Sequence, residues 1–173
     1  EVASVDLSAC IEPLSASVSF LAARGLPMRW LDSRGATSGF LSALSAAAPR
    51  CDVVLVHASA SDLVRLFNGR APRPLLVASD QSDSLTHAYA SMKLLSQRLG
   101  VMAFDLLLAA PGGPQRMTRI ADRLAGCADR FLGAALGEWA AVDPTQVDNA
   151  PLDLALRRLA AAQIASSDDC IEV

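Results

Sequence analysis

Short apolar runs alternate with longer amphipathic stretches from one end of the chain to the other. The runs are Val2–Val5, Met28–Leu31, Asp52–His57, Pro74–Ser79, Phe104–Ala109 and Glu138–Val142. Val53-Val54-Leu55-Val56 and Leu106-Leu107-Leu108 are continuously apolar and short, which is what a parallel strand covered on both faces requires. Between the runs, apolar spacing predicts helices over residues 13–24, 37–48, 60–69, 84–99, 115–132 and 151–164. The first ends at Arg24-Gly25, a basic last turn followed by a glycine stop, and the second runs from Arg34-Gly35 to Pro49. The third places Leu63, Leu66 and Phe67 at helical spacing and stops at Gly69. The fourth is the clearest: Ser82 or Ser84 can cap it, Leu85, Ala88, Tyr89, Met92 and Leu95 make one stripe, and Gly100 closes it.

The resulting strand–helix alternation implies an α/β fold, a doubly wound and mostly parallel sheet with helices on both faces. No internal repeat or linker interrupts it, and Pro111-Gly112-Gly113-Pro114 reads as a strand-to-helix loop. Residues 1–165 therefore read as one domain and 166–173 as a polar, flexible tail. A chain of 173 residues is long enough to bury roughly two thirds of its unfolded surface. Aromatic residues are only 5% of the chain while hydrophobic residues are 52%, so Ala, Leu and Val must build the core.

Charge narrows the partners. The formal net charge is −3, and neutralising a phosphate backbone needs a concentrated basic surface, so nucleic acid is not expected as the main partner. Arg116, Arg119, Arg123 and Arg130 alternate with Asp122 and Asp129 and read as a solvated helix face. Cys10, Cys51, Cys127 and Cys170 contain no C-x-x-C pair, which points away from zinc or a disulfide framework and towards a reducing, cytoplasmic setting. Cys51 opens a run expected to be a buried strand, and so reads as a small core residue. No apolar run has the ~18–20 residues of a membrane span, and no basic-then-apolar leader is read at the start.

Three segments carry a resemblance. Ser84-Leu85-Thr86-His87-Ala88-Tyr89-Ala90, followed by Met92-Lys93-Leu94-Leu95, resembles a segment of the FlhG/FleN flagellar regulators, a branch of the MinD/ParA ATPases. Asp129-Arg130-Phe131-Leu132 resembles the helix before that branch's last strand. The stretch from Leu21 to Asp32, with Ala22-Ala23-Arg24-Gly25 at its centre, resembles the link between the family's first helix and second strand. The resemblance spans about Val2 to Leu159 and implies a P-loop NTPase-like fold.

It also implies a nucleotide site, and that site's residues have been replaced. The family's phosphate loop, K-G-G-x-G-K-[ST], uses glycines to admit phosphate to backbone N–H groups, lysines to neutralise it and a hydroxyl to hold Mg²⁺. The matching stretch here is Val5-Asp6-Leu7-Ser8-Ala9-Cys10-Ile11, with Val5 and Cys10 at the lysines, Ile11 at the hydroxyl and an acid, Asp6, where triphosphate would sit. Asp32 keeps one acid of the family's D-x-D, but Arg34 replaces the other. His57 stands at the Mg²⁺-associated Asp, Ala109 at the adenine-reading Asn, and Asp143-Pro144-Thr145 at the displaced P-x-D. No G-x-x-x-x-G-K occurs anywhere in the chain. The expectation is a protein without a catalytic residue, cofactor or metal: a pseudo-ATPase.

What remains at the vacated position is a candidate interaction surface of Asp6, Asp32, His57, Asp80 and Asp83. His57 falls where open α/β sheets bind ligands, but no Ser, Cys or Asp motif accompanies it as a triad would require, and a drifted pocket-filling residue is the plainer reading. Asp80 and Asp83 suit a helix N-terminus for dipole reasons. His87, one turn into its helix, reads as exposed. Residues 151–164 carry Leu152, Leu156 and Leu159 but few basic residues, which fits packing on the sheet better than a membrane anchor. The resemblance implies protein partners, as a homodimer or paired with an active paralogue. A ligand sensor or an enzyme using the vacated crevice is the alternative, as is residual nucleotide binding without hydrolysis.

Overall fold

The computed structural model describes residues 6–26, 29–30, 39–67, 72–145 and 152–168. The chain divides into two compact units, Glu1–Ala58 and Ser59–Val173.

In the first unit, a single 3₁₀ turn at Ser8–Cys10 leads into an antiparallel hairpin of β1 (Ile11–Pro13) and β2 (Ser19–Leu21). The helix expected over 13–24 is replaced by this hairpin. The turn explains the difference: Ser15 Oγ accepts the amides of Ser17 and Val18, and the Leu14 and Ser15 amides donate to the Val18 carbonyl. A serine hydroxyl offering the backbone a local partner competes with the helix, and Pro13 is tolerated in so short a two-stranded ribbon. The strand expected at Met28–Leu31 is also overturned where it is described, because Leu26, Arg29 and Trp30 are helical and the Arg29 amide donates to the Gly25 carbonyl. Gly25 makes that entry with φ +77°. α1 (Phe40–Ala47) follows, starting from Gly39 in the left-handed region. Phe40 packs edge-on against Trp30 with ring centroids 5.8 Å apart.

Asp52–His57 does not form the expected strand. Val53, Val54 and Leu55 are exposed, the last at 88%, and no residue of the run enters a ladder. Apolar continuity marks a segment fit for a buried strand, but a strand exists only where neighbouring backbone pairs with it. Cys51 is exposed with it, contrary to the core role expected. The first expected strand, Val2–Val5, lies outside the described residues.

The second unit matches the sequence pattern closely. It consists of α2 (Ala60–Leu66), β3 (Leu75–Ala78), α3 (Ser82–Leu99), β4 (Ala103–Ala109), α4 (Pro114–Leu132), β5 (Ala135–Val142) and α5 (Leu152–Asp168). The three strands form one parallel sheet in the order β3-β4-β5, an α/β architecture with flanking helices that is compatible with a P-loop NTPase-like fold. Ser59 caps α2, accepting the Asp62 amide while its hydroxyl donates to the Asp62 carboxylate. Gly100 and Gly133, at φ +68° and +62°, close α3 and α4, a left-handed conformation that glycine adopts without steric cost. Pro114 opens α4 after the 111–113 loop, where its missing N–H costs nothing.

Side chains alternate along a strand, and β4 uses both faces. Phe104, Leu106 and Leu108, each 0% exposed, pack with Met92 and Leu95 of α3 and with Met117, Ala121 and Leu124 of α4. Truncating one such leucine to alanine costs about 2–5 kcal/mol. Asp105 turns to the opposite face, where α5 lies: Gln163 of α5 donates to its carboxylate, and Leu159 is 3% exposed. The expected packing of the last helix on the sheet is thus realised, and α5 continues to Asp168. β3 is an edge strand among the described residues, with Leu76 and Ala78 buried and Leu75 and Val77 exposed.

Candidate functional site

Two polar constructions stand out in the second unit, one buried and one open. The buried one centres on Asp105, which is 0% exposed. Its Oδ1 accepts from Arg73 Nη2 at 2.6 Å and from the Glu138 amide at 2.8 Å, and its Oδ2 accepts from Gln163 Nε2 at 2.6 Å. The Glu138 amide reaches the carboxylate because the β4–β5 register slips there, Phe104 facing Leu136 while Leu106 faces Trp139. The extra residue in β5 makes a bulge that re-aims the backbone. Gly137 is required in it, since a Cβ would stand 2.8 Å from Asp105 Oδ1 and 2.5 Å from Arg73 Nη2. A buried carboxylate with three donors is a satisfied structural node. It ties β4, β5, α5 and Arg73, two residues before β3, together at the amino end of the sheet.

The open construction lies past the carboxyl ends of β3 and β4, between α3 and α4. A groove of about 490 Å³ is lined there by Asp80, Ser82 and Leu85 on one side. Arg116, Arg119, Ile120 and Arg123 of α4 line the other. Ser79 turns the chain out of β3, its amide donating to Ser84 Oγ at 2.9 Å and its hydroxyl accepting the Gln81 amide. Ser84 is therefore spent on the turn, and α3 starts from Gln81 without a side-chain cap, unlike the Ser82 or Ser84 cap expected. Asp80 is held at both oxygens, by Gln81 Nε2 at 3.2 Å and by Arg116 Nη2 at 2.7 Å. Arg119 donates Nε to the Gln115 carbonyl. Arg119 and Arg123 have no ion pair among the described residues, and both are exposed.

The five acidic and histidine candidates fare unequally. Asp80 lies in the β3–α3 connection and is paired, while Asp83 is exposed in the first turn of α3, where the helix dipole accounts for it. Asp6 and His57 belong to the other unit. His57 is exposed and in no strand, so its expected position at a central strand end is not realised. Asp6 accepts the Ser8 hydroxyl and the Ser8 and Ala9 amides, and the Ser8 hydrogen bond first, then the two amides, hold its carboxyl below the ordinary Asp value. Asp32 lies outside the described residues. His87 is exposed, as read from the sequence. Among the described residues no helix is long and apolar enough to cross a membrane.

Sequence reasoning missed Arg116, Arg119 and Arg123 as a site, grouping them as a solvated face. Their i, i+3, i+7 spacing was the available signal, and the groove opposite them was not. It also missed Asp105, an acid inside an otherwise apolar run.

Over 101 residues the chain is 35% identical to the antiactivator FleN of Pseudomonas aeruginosa. The chain is similar to FleN. The match takes in 57% of this chain and 36% of that protein, so it spans little more than a third of the relative's length. It supports the relationship to a MinD/ParA-like protein read from Ser84–Leu95. No family model matches the chain, and no solved structure does.

Proposed function

We propose that the chain is a non-catalytic regulatory module of the FlhG/FleN kind, a cytoplasmic pseudo-ATPase that acts through protein partners in flagellar placement or number. The observation that carries this reading is the 35% identity to a protein named an antiactivator, joined to a sequence without the family's phosphate-binding residues. The chain's one lysine, Lys93, lies within α3 between Met92 and Leu94, and belongs to no glycine loop. At the stretch matching the phosphate loop, Asp6 folds its carboxylate back on Ser8 and Ala9. An acid there repels phosphate. Charge-assisted hydrogen bonds contribute roughly 1.5–3 kcal/mol each, and replacing both lysines, the hydroxyl and the metal-associated acid removes several at once. Without a nucleotide switch, the module would engage its partner constitutively, as a homodimer or beside an active paralogue.

The test is calorimetric titration of the full chain with Mg²⁺-ATP and Mg²⁺-ADP to millimolar concentration. No heat and no thermal stabilisation are expected. Micromolar binding of either nucleotide would overturn the pseudo-ATPase reading and restore a nucleotide switch to the mechanism.

A further inference from the structure

The groove between α3 and α4 has the chemistry of a receptor, and we propose that it docks an acidic, amphipathic peptide segment of a partner protein. The proposal rests on the protein-interaction part of the reading above and assigns that interaction a place and a chemistry.

Charge comes first. Three guanidinium groups and one carboxylate line the groove. Asp80 is occupied by Arg116 and Gln81, so Arg119 and Arg123 are left uncompensated among the described residues. At 100° per residue, Arg116, Arg119, Ile120 and Arg123 fall within about 100° of one face of α4. Asp122 and Asp129 fall outside that sector, so the alternating charges of the sequence separate into a basic face and an acidic one. The basic face is therefore built as a face. Guanidinium groups favour bidentate pairing with carboxylates, and a protein with a formal net charge of −3 that still concentrates three arginines in one groove has a local preference for anions.

Shape and polarity decide which anion. The three arginines extend along about 10 Å of helix, at 1.5 Å per residue, a distance suited to acidic side chains on successive turns of a helix and too long for one phosphate group. Leu85 and Ile120 line the same groove between the charges, giving an apolar side chain somewhere to be buried while its acidic neighbours pair. Asp80 adds a negative charge that a compact polyphosphate would meet and a peptide carrying separated acids can avoid. A peptide with leucines on one face and flanking glutamates satisfies all three conditions.

The test uses the full chain and a fluorescein-labelled, 14-residue helical peptide with leucine at i, i+3 and i+7 flanked by glutamates, followed by fluorescence anisotropy. Saturable binding in the micromolar range is expected, weakened at high salt. Replacing the peptide's glutamates by glutamine is expected to remove most of it. The double variant Arg119→Glu/Arg123→Glu is expected to weaken binding by at least about tenfold, and Arg119→Gln/Arg123→Gln to do so by less. Both positions are exposed, so thermal melting should be unchanged. Arg98→Glu, an exposed arginine in the last turn of α3 outside the groove, should leave binding intact. The proposal is overturned by absence of saturable binding up to about 1 mM peptide, or by an equal loss in Arg98→Glu, which would mark a diffuse charge effect. Micromolar binding of pyrophosphate without peptide binding would also overturn it, as a small-anion site. Tight nucleotide binding alongside groove-dependent peptide binding would sink the pseudo-ATPase reading and leave this inference standing. A silent nucleotide titration with no peptide binding would do the reverse.

Discussion

Two arginine–carboxylate pairs of nearly equal length divide the work of the second unit. Arg73 and Asp105 meet at 2.6 Å with side chains 29% and 0% exposed, while Arg116 and Asp80 meet at 2.7 Å with side chains 60% and 9% exposed. The first pair is joined by two further donors to the same carboxylate, the Glu138 amide and the Gln163 amide group. The second has unpaired arginines beside it and a groove in front of it. In low-dielectric surroundings a carboxylate must be fully satisfied or it unfolds its neighbourhood. At a surface the same pair contributes little to stability and leaves charge available for a partner. Distance alone would rank the two pairs as equivalent, whereas their surroundings make one a structural pin and the other part of a recognition surface.

The largest expected effect breaks the pin. Asp105→Ala leaves Arg73 and two further donors without their acceptor at a position that is itself 0% exposed. It should destabilise the fold by about 3 kcal/mol, the lower end of what removing one partner of a buried pair costs, because Arg73 keeps some exposure. Urea unfolding followed by circular dichroism measures this. A loss under about 1 kcal/mol would mean that the network contributes no more than a surface pair, and the contrast drawn above would fail.

A smaller effect is expected from the other pair, and it separates stability from binding. Asp80→Asn keeps the shape of the side chain while removing its charge. Stability should fall by no more than about 1 kcal/mol, because Arg116 is more than half exposed and solvent screens the pair. Affinity for the acidic peptide should rise, since Arg116 is released and the one acid lining the groove is gone. Unfolding and anisotropy on the same variant check both. A large stability loss with unchanged affinity would assign Asp80 to the structural class with Asp105.

The same contrast explains how much the sequence disclosed. The parallel strands and long helices of the second unit were legible because their periodicity agrees with their burial: Leu85, Ala88, Tyr89, Met92 and Leu95 are the buried or half-buried stripe of α3, and Gly100 stops the helix as its type and place imply. Legibility failed where local polar chemistry or missing neighbours outvoted periodicity. Ser15 turned an expected helix into a hairpin, and Val53–Val56 carried a strand pattern without entering a ladder. Of the candidate site, Asp80 was legible as an acid at a strand end, but its meaning was not. Arg116 lies 36 residues further along, and no linear pattern joins the two until α3 and α4 pack. Asp105 was hidden for the opposite reason: a polar residue at a buried strand position looks like an interruption until its donors arrive from Arg73, β5 and α5.

Asp6 supplies a third carboxylate, fully exposed, and sharpens the comparison at its weak end. It has no arginine. Its partners are the Ser8 hydroxyl and the amides of Ser8 and Ala9, which favour the charged form and lower its pKa below the ordinary value of 3.8. A carboxyl whose folded value is depressed contributes its stabilisation fully above the unfolded value and loses it as pH falls through the folded one. The turn at Ser8–Cys10 should therefore be indifferent to pH from neutrality down to about pH 4 and loosen only below it. The Ser8 and Ala9 amide resonances, followed by ¹⁵N-resolved NMR against pH, should shift together with an apparent midpoint below 3.8, and Asp6→Asn should abolish that titration while leaving overall unfolding unchanged. A midpoint above 3.8 would show that the three hydrogen bonds do not hold the charged form, and that an exposed carboxylate at this position is as free to meet solvent as its accessibility alone implies.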